Sequence, residues 1–131
     1  MDPEQKIDRI EELSSALNKL QDRLEMAVNA AGIGIWDWDI AAGTLYWDAQ
    51  MHRIFGTSKE TWGGNYDSFA DCLVCEDRTL VGDAIRRSMV DRMPYRYEFR
   101  LKTVPGRVVF GGGRFYFNKF GLPVRAVGVC L

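Results

Sequence analysis

The sequence predicts an α+β domain: a five-stranded antiparallel sheet with short helices on one face and an amphipathic helix at the N-terminus. Three observations predict it. Residues 31–47, AGIGIWDWDIAAGTLYW, alternate as a β-hairpin does. Residues 95–131 divide into three more strands separated by Gly- and Pro-containing turns. Residues 48–94, between them, carry helical spacing with caps and stops. Strands grouped apart from helices define this class.

At the N-terminus, Asp2 suits an N-cap and Pro3 the first helical turn, and nothing breaks the helix until about Ala30. Ile10, Leu17 and Leu24 recur every seven residues, as do Leu13, Leu20 and Ala27. This is an a/d seam over nearly three heptads. The flanking Arg9, Ser14, Ala16, Gln21 and Arg23 form no charge code. Such a stripe either folds back on its own domain or meets a second copy. Its regularity favours a homodimer through Ile10, Leu13, Leu17, Leu20 and Leu24, with Leu24 to Ala30 serving both ends. The chain is therefore read as a helix over residues 1–30 and a domain over residues 31–131.

In the hairpin, Ile33, Ile35, Asp37 and Asp39 fall on one face, and Gly34, Trp36, Trp38 and Ile40 on the other. Ala41-Ala42-Gly43 turns the chain, with Gly43 free to take positive φ, and Thr44-Leu45-Tyr46-Trp47 returns. A hairpin alone is barely stable in water, so it must dock on something larger. Asp48 caps a short helix, Ala49 to Phe55, stopped at Gly56. After a loop, Asp67 caps a second, Ser68 to Val74. A longer helix spans Asp77 to Arg92, with Leu80, Val81, Ala84, Ile85 and Met89 at helical spacing and Pro94 beyond its end. Tyr95, Tyr97, Phe99 and Leu101 alternate with charged residues in a half-buried strand. Residues 107–118 form the next strand, and residues 124–131 a last one, apolar on both faces apart from Arg125. Such a strand is expected at the sheet's centre, covered by the short helices on one side and the N-terminal helix on the other.

The run LEMAVNAAGIGIWDWDI, then MHRIFG, then EDR before the longer helix, then YRYEFRL, and finally FNKFGLPVRAVGVCL, resembles a PAS sensor domain in order and spacing, from about residue 21 to the end. The resemblance implies the PAS fold, a sensory role, and an effector downstream in a longer chain, such as a histidine kinase or a diguanylate cyclase. Two features depart from the family pattern. Many relatives carry His-Pro before Glu-Asp-Arg, where this chain has Val74-Cys75, so the helix start is less defined. The Asn-Cys-Arg-Phe-Leu-type motif of flavin-binding light sensors is matched by neither Cys72 nor Cys75. Haem-binding members usually draw a histidine from the long helix, which here has none.

At 131 residues, 47% hydrophobic and 27% charged, the chain is a single soluble-type domain able to bury one core. A formal net charge of −1 gives no general attraction to nucleic acid or anionic lipid. No run of about 18 apolar residues offers a membrane span, and the polar MDPEQKIDRIEEL is unlike a signal peptide. Three cysteines make no disulfide framework, and a reducing cytoplasm is expected. Cys72-Leu73-Val74-Cys75 has the spacing of a metal or redox pair, but two ligands are too few, and His52 and Cys130 would have to complete the site. Buried, inert thiols are the simpler reading. His52, the only histidine, has no catalytic partner in sequence and reads as partly exposed. Gly111-Gly112-Gly113 precedes a strand and lacks the Lys-Ser/Thr of a phosphate loop; it reads as a bulge or as room for a packed group.

No catalytic site and no metal are expected, and no cofactor beyond an unknown small ligand between sheet and helices. Candidate pocket residues are Met51, Ile54, Phe55, Phe69, Leu73, Leu80, Ile85, Met89, Tyr97, Phe99 and Val129. Two other classes stay open: a ligand-free dimerisation module, and a small enzyme with a lipocalin-like or hotdog-like pocket. The second would need an acid, base or nucleophile in that pocket, and none is clustered in sequence.

Overall fold

The computed structural model describes residues 1–131. The chain divides into two compact units, Met1–Gly32 and Ile33–Leu131.

The first unit is helix α1, Pro3–Ala31. Its start is a full capping box: the Asp2 carboxylate accepts from the Gln5 amide at 2.8 Å, and the Gln5 side-chain oxygen accepts from the Asp2 amide at 3.0 Å. Gly32 ends it in the left-handed region. None of its residues is buried.

The second unit holds strands β1 (Gly34–Asp39) and β2 (Thr44–Trp47), helices α2 (Ala49–Phe55), α3 (Tyr66–Ala70) and α4 (Cys75–Asp91), and strands β3 (Tyr95–Arg100), β4 (Val108–Phe117) and β5 (Pro123–Cys130). All five strands form one antiparallel sheet in the order β2-β1-β5-β4-β3. The final strand is thus the central one. On one face of the sheet Val129 of β5, and Phe110 and Tyr116 of β4, are exposed.

The helices and sheet are tied at their ends. Asp48 caps α2, accepting from the Met51 amide at 2.9 Å. At the other end of α2, Arg107 donates to the carbonyls of Arg53 and Ile54, and the Thr103 hydroxyl donates to that of Phe55 at 2.6 Å. These satisfy carbonyls that the helix itself leaves unpaired. The core comprises Trp47, Met51 and Phe55 with Leu73, Val81, Phe99, Leu101, Val109 and Ala126.

Three boundaries differ from expectation, one of them the end of α3, which lies at Ala70 and not Val74. α3 begins at Tyr66 and is capped by Asn65, not Asp67: the Asn65 side chain accepts from both the amide and the hydroxyl of Ser68. α4 begins at Cys75, two residues early. Residues 72–74 are instead tied to the end of β3 and the residues just after it: the Val74 amide donates to the Arg100 carbonyl at 3.1 Å, the Lys102 amide donates to the Cys72 carbonyl, and Leu73 bridges Leu101. The Val74 carbonyl then accepts the first helical amides. Consequently Cys72 and Cys75 do not share a helical face. Cys72 is buried, Cys75 is exposed, and Cys130 is buried on β5.

Candidate functional site

The alternation of the first hairpin places Trp36 and Trp38 on the sheet's inner face, opposite Trp47 and Leu45 of β2. Across β5 and β4 the same face presents Cys130, Gly128 and Ala126 against Gly111, Gly113 and Phe115. The two glycine positions are explained by one ring. A Cβ on Gly113 or Gly128 would strike the Trp36 indole, which lies against this bare stretch of backbone. The indole nitrogen of Trp36 donates to the Val129 carbonyl at 3.3 Å, fixing the ring. The glycine run is thus a seat for an aromatic side chain; the sheet's irregularity lies elsewhere, between Tyr116 and Phe117.

From the helical side, Tyr66 stacks on Trp38 with centroids 5.3 Å apart, and Phe69 meets Phe99 edge-on at 5.6 Å. Trp62, from the loop, stacks on Trp47 at 3.9 Å. Such offset and edge-on pairs contribute beyond their buried area. All of these rings except that of Trp62 line an almost wholly apolar cavity of about 40 Å3 beneath the sheet. Trp36, Trp38, Trp47 and Leu45 line it from the hairpin; Met51, Tyr66, Phe69 and Ile85 from the helices; Tyr95, Phe99, Gly111, Phe115 and Cys130 from the other strands.

Of the residues proposed from sequence, Met51, Phe69, Ile85 and Phe99 therefore meet at the cavity wall. Phe55 and Leu73 are buried in the core outside that wall, and Ile54, Met89 and Tyr97 pack partly buried against it. Leu80 is exposed on α4, and Val129 is exposed on the opposite sheet face. Trp36, Trp38, Trp47 and Tyr95 line the cavity as well, and are not among the residues expected from sequence. The period-two alternation of residues 34–40 and 95–101 carried the missing signal.

The wall holds no charged side chain. Burial pushes the Cys130 thiol up to about 12 and raises the Tyr95 phenol above its usual value, so both stay protonated at neutral pH. The Tyr95 hydroxyl is buried with no protein partner. No group of three or more His, Cys, Asp or Glu side chains is placed to hold a metal. A flavin or haem does not fit: ligand pockets for drug-sized molecules begin at about 300 Å3, and the cavity is far smaller. Neither Cys72 nor Cys75 lines it.

His52 lies outside the cavity but is buried, contrary to the partly exposed position expected for it. Its Nδ1 is 2.8 Å from the Thr57 hydroxyl, and its ring packs edge-on against Trp47 and Trp62. Desolvation lowers its pKa below the ordinary 6.5. Sequence reasoning read a short helix as surface; the aromatic loop after it supplies the cover.

A five-stranded antiparallel sheet with short helices closing an apolar cavity on one face defines a sensor-type α+β domain. The family model described as PAS fold matches residues 44–130, and the chain belongs to that family. It is 27% identical, over 94% of its length, to the probable diguanylate cyclase DgcE of Escherichia coli, and 31% identical over 75% of its length to a blue-light-activated histidine kinase of Brucella anthropi. It spans only 11% and 20% of those two relatives. Among solved structures, a sensory box histidine kinase/response regulator from Burkholderia thailandensis superposes with a TM-score of 0.70 at 27% identity, covering 83% of this chain and 82% of that one. The chain is thus a PAS sensory module of signal transduction.

Proposed function

We propose that this module works as a homodimer joined through α1, that it takes a small molecule in the cavity beneath the sheet, and that it controls an effector in a longer cytoplasmic chain. The effector we favour is a histidine kinase, after the Brucella and Burkholderia relatives. A diguanylate cyclase is the alternative, favoured by the Escherichia coli relative, whose match extends over 94% of this chain. Free thiols at all three cysteines agree with a reducing compartment, and no helix is long and apolar enough to cross a membrane.

The observation that carries the reading is the stripe on α1. Ile10, Leu13, Leu17, Leu20 and Leu24 all face solvent, Leu17 with 65% of its surface exposed. A seam of that regularity, left wet, is a surface for a second copy. Because its flanking charges set register weakly, the seam can hold two packings of similar energy, and a shift between them would carry the signal onward. Sedimentation equilibrium tests this. The protein should be dimeric at micromolar concentration, and Leu17→Asp should give folded monomers. A monomeric parent protein at high micromolar concentration overturns the dimer, and an unfolded Leu17→Asp places the stripe in the core instead.

A further inference from the structure

β4 outruns the strand beside it. β3 begins at Tyr95, opposite Gly113, while β4 continues to Phe117. Even-numbered residues of β4 turn their backbone groups to β5: Phe110 exchanges bonds with Leu131, and just past the strand the Asn118 amide donates to the Leu122 carbonyl. Odd-numbered residues turn theirs to the β3 side. The amides and carbonyls of Phe115 and Phe117 therefore lie on that side, beyond the point where β3 starts. The residues before β3 form no strand there. The Met93 amide donates to the Ser88 carbonyl at 3.2 Å, at the end of α4, and Pro94 has no amide. At two other places the sheet closes such an edge. The Leu45 amide and carbonyl are taken by the Gly64 carbonyl and the Trp62 indole, and both backbone groups of Arg100 by Val74 and Asp77.

Beside the free stretch of β4 is an open groove of about 410 Å3, lined by Arg92, Met93, Pro94, Arg114, Phe115 and Phe117. No carboxylate lines it, and neither arginine is in an ion pair. The two flank the edge from opposite faces. The Arg92 guanidinium sits over the Phe117 ring, 4.6 Å from its centroid, on the helical face. Arg114 is exposed and alternates with the buried Phe115 onto the other face. We propose that this groove binds an extended, acidic segment of a partner protein, which pairs with β4 in the line that β3 leaves and sets carboxylates against Arg92 and Arg114. Alternating amides and carbonyls call for a partner that donates and accepts along a line, as a peptide strand does. A phosphate group only accepts, and would meet two carbonyls as well as two amides. Consecutive side chains of a strand point to opposite faces, so acidic residues adjacent in sequence reach both arginines. Neither the α1 dimer nor a ligand in the cavity is needed for this.

The test titrates the intact, isotope-labelled 131-residue protein with the capped hexapeptide Thr-Val-Glu-Glu-Val-Thr at low salt, followed by two-dimensional NMR. The amide signals of Phe115 and Phe117 should shift and gain protection from hydrogen exchange. Replacing both glutamates by glutamine should weaken binding about fivefold, the upper range for exposed charge pairs, and added salt should do the same. Arg114→Glu should have a similar effect. So should Arg92→Asn, which suits the left-handed backbone that Arg92 adopts at φ 53°. A peptide N-methylated on the edge facing β4 should bind about tenfold less, for want of its ladder bonds. If the glutamine peptide binds equally well, or neither arginine variant weakens binding, the partner is not acidic and the proposal fails. If the N-methylated peptide matches its parent, strand addition is wrong. If inorganic phosphate gives the same shifts at the same concentration, the groove is a general anion site and the proposal is overturned. If no signal at Phe115 or Phe117 moves at millimolar peptide, the arginines only guard the edge, and it is overturned likewise.

Discussion

Gly128 has the least room of the sheet's glycines. A Cβ there would overlap the Gly112 carbonyl and the Trp36 ring, and neither backbone nor a ring pinned by its own hydrogen bond can move aside cheaply. Gly128→Ala should therefore destabilise the domain by about 1–3 kcal/mol, the usual cost of overpacking, as read from the urea midpoint. At Gly43, by contrast, a Cβ meets nothing, and only the positive φ of 74° penalises replacement. His52 makes a second prediction at this scale. Its folded pKa lies below the unfolded value, so its contribution is fully present above about pH 6.5 and is lost as pH falls through the folded pKa. Stability should decline on acidification below that point, and His52→Gln should flatten this limb. Because it is the only histidine, its imidazole titration by NMR is unambiguous and should fall below 6.5.

Among the elements, the joint between α4 and β3 is held by one carboxylate. Asp77, buried in the first turn of α4, accepts from the Arg100 amide at 2.7 Å and from its guanidinium at 2.9 and 3.1 Å. The Arg100 side-chain hydrogen bond holds the Asp77 carboxyl below its ordinary range. A depressed folded pKa contributes stability above the unfolded value, near 3.8, that is lost as pH falls through the folded one. Asp77→Asn should abolish this acid-sensitive part, and Asp77→Ala should cost about 1–3 kcal/mol at neutral pH by leaving the Arg100 amide unpaired. Calorimetry across pH checks both. The element order, the capping by Asp2 and Asp48 and the strand alternation were legible in the sequence, because each depends on neighbours a few residues away. The start of α4 was not. It depends on pairing between residues 73–74 and residues 100–101, which no local pattern reports. The cavity wall was half legible for the same reason: periodicity tells which face a residue takes, but not which faces meet.

For the whole molecule, the size and apolarity of the cavity forecast the appearance of the pure protein. It should be colourless, with neither a Soret band nor flavin absorption retained through gel filtration, because the enclosed space is too small for either chromophore. Bound chromophore surviving gel filtration would mean that the helices open far wider than the packed rings suggest.

The strand order has a consequence for how the domain comes into being. β5 pairs with β1 on one side and β4 on the other, so every link between the two halves of the sheet passes through the last strand of the domain to be made. Until Pro123–Cys130 leave the ribosome, the nascent chain holds two separate hairpins, β1 with β2 and β3 with β4, each of marginal stability alone. The apolar residues of both wait for their partner strand until the rest of this domain has been made. Then, with the arrival of eight residues, the sheet closes in a single late step.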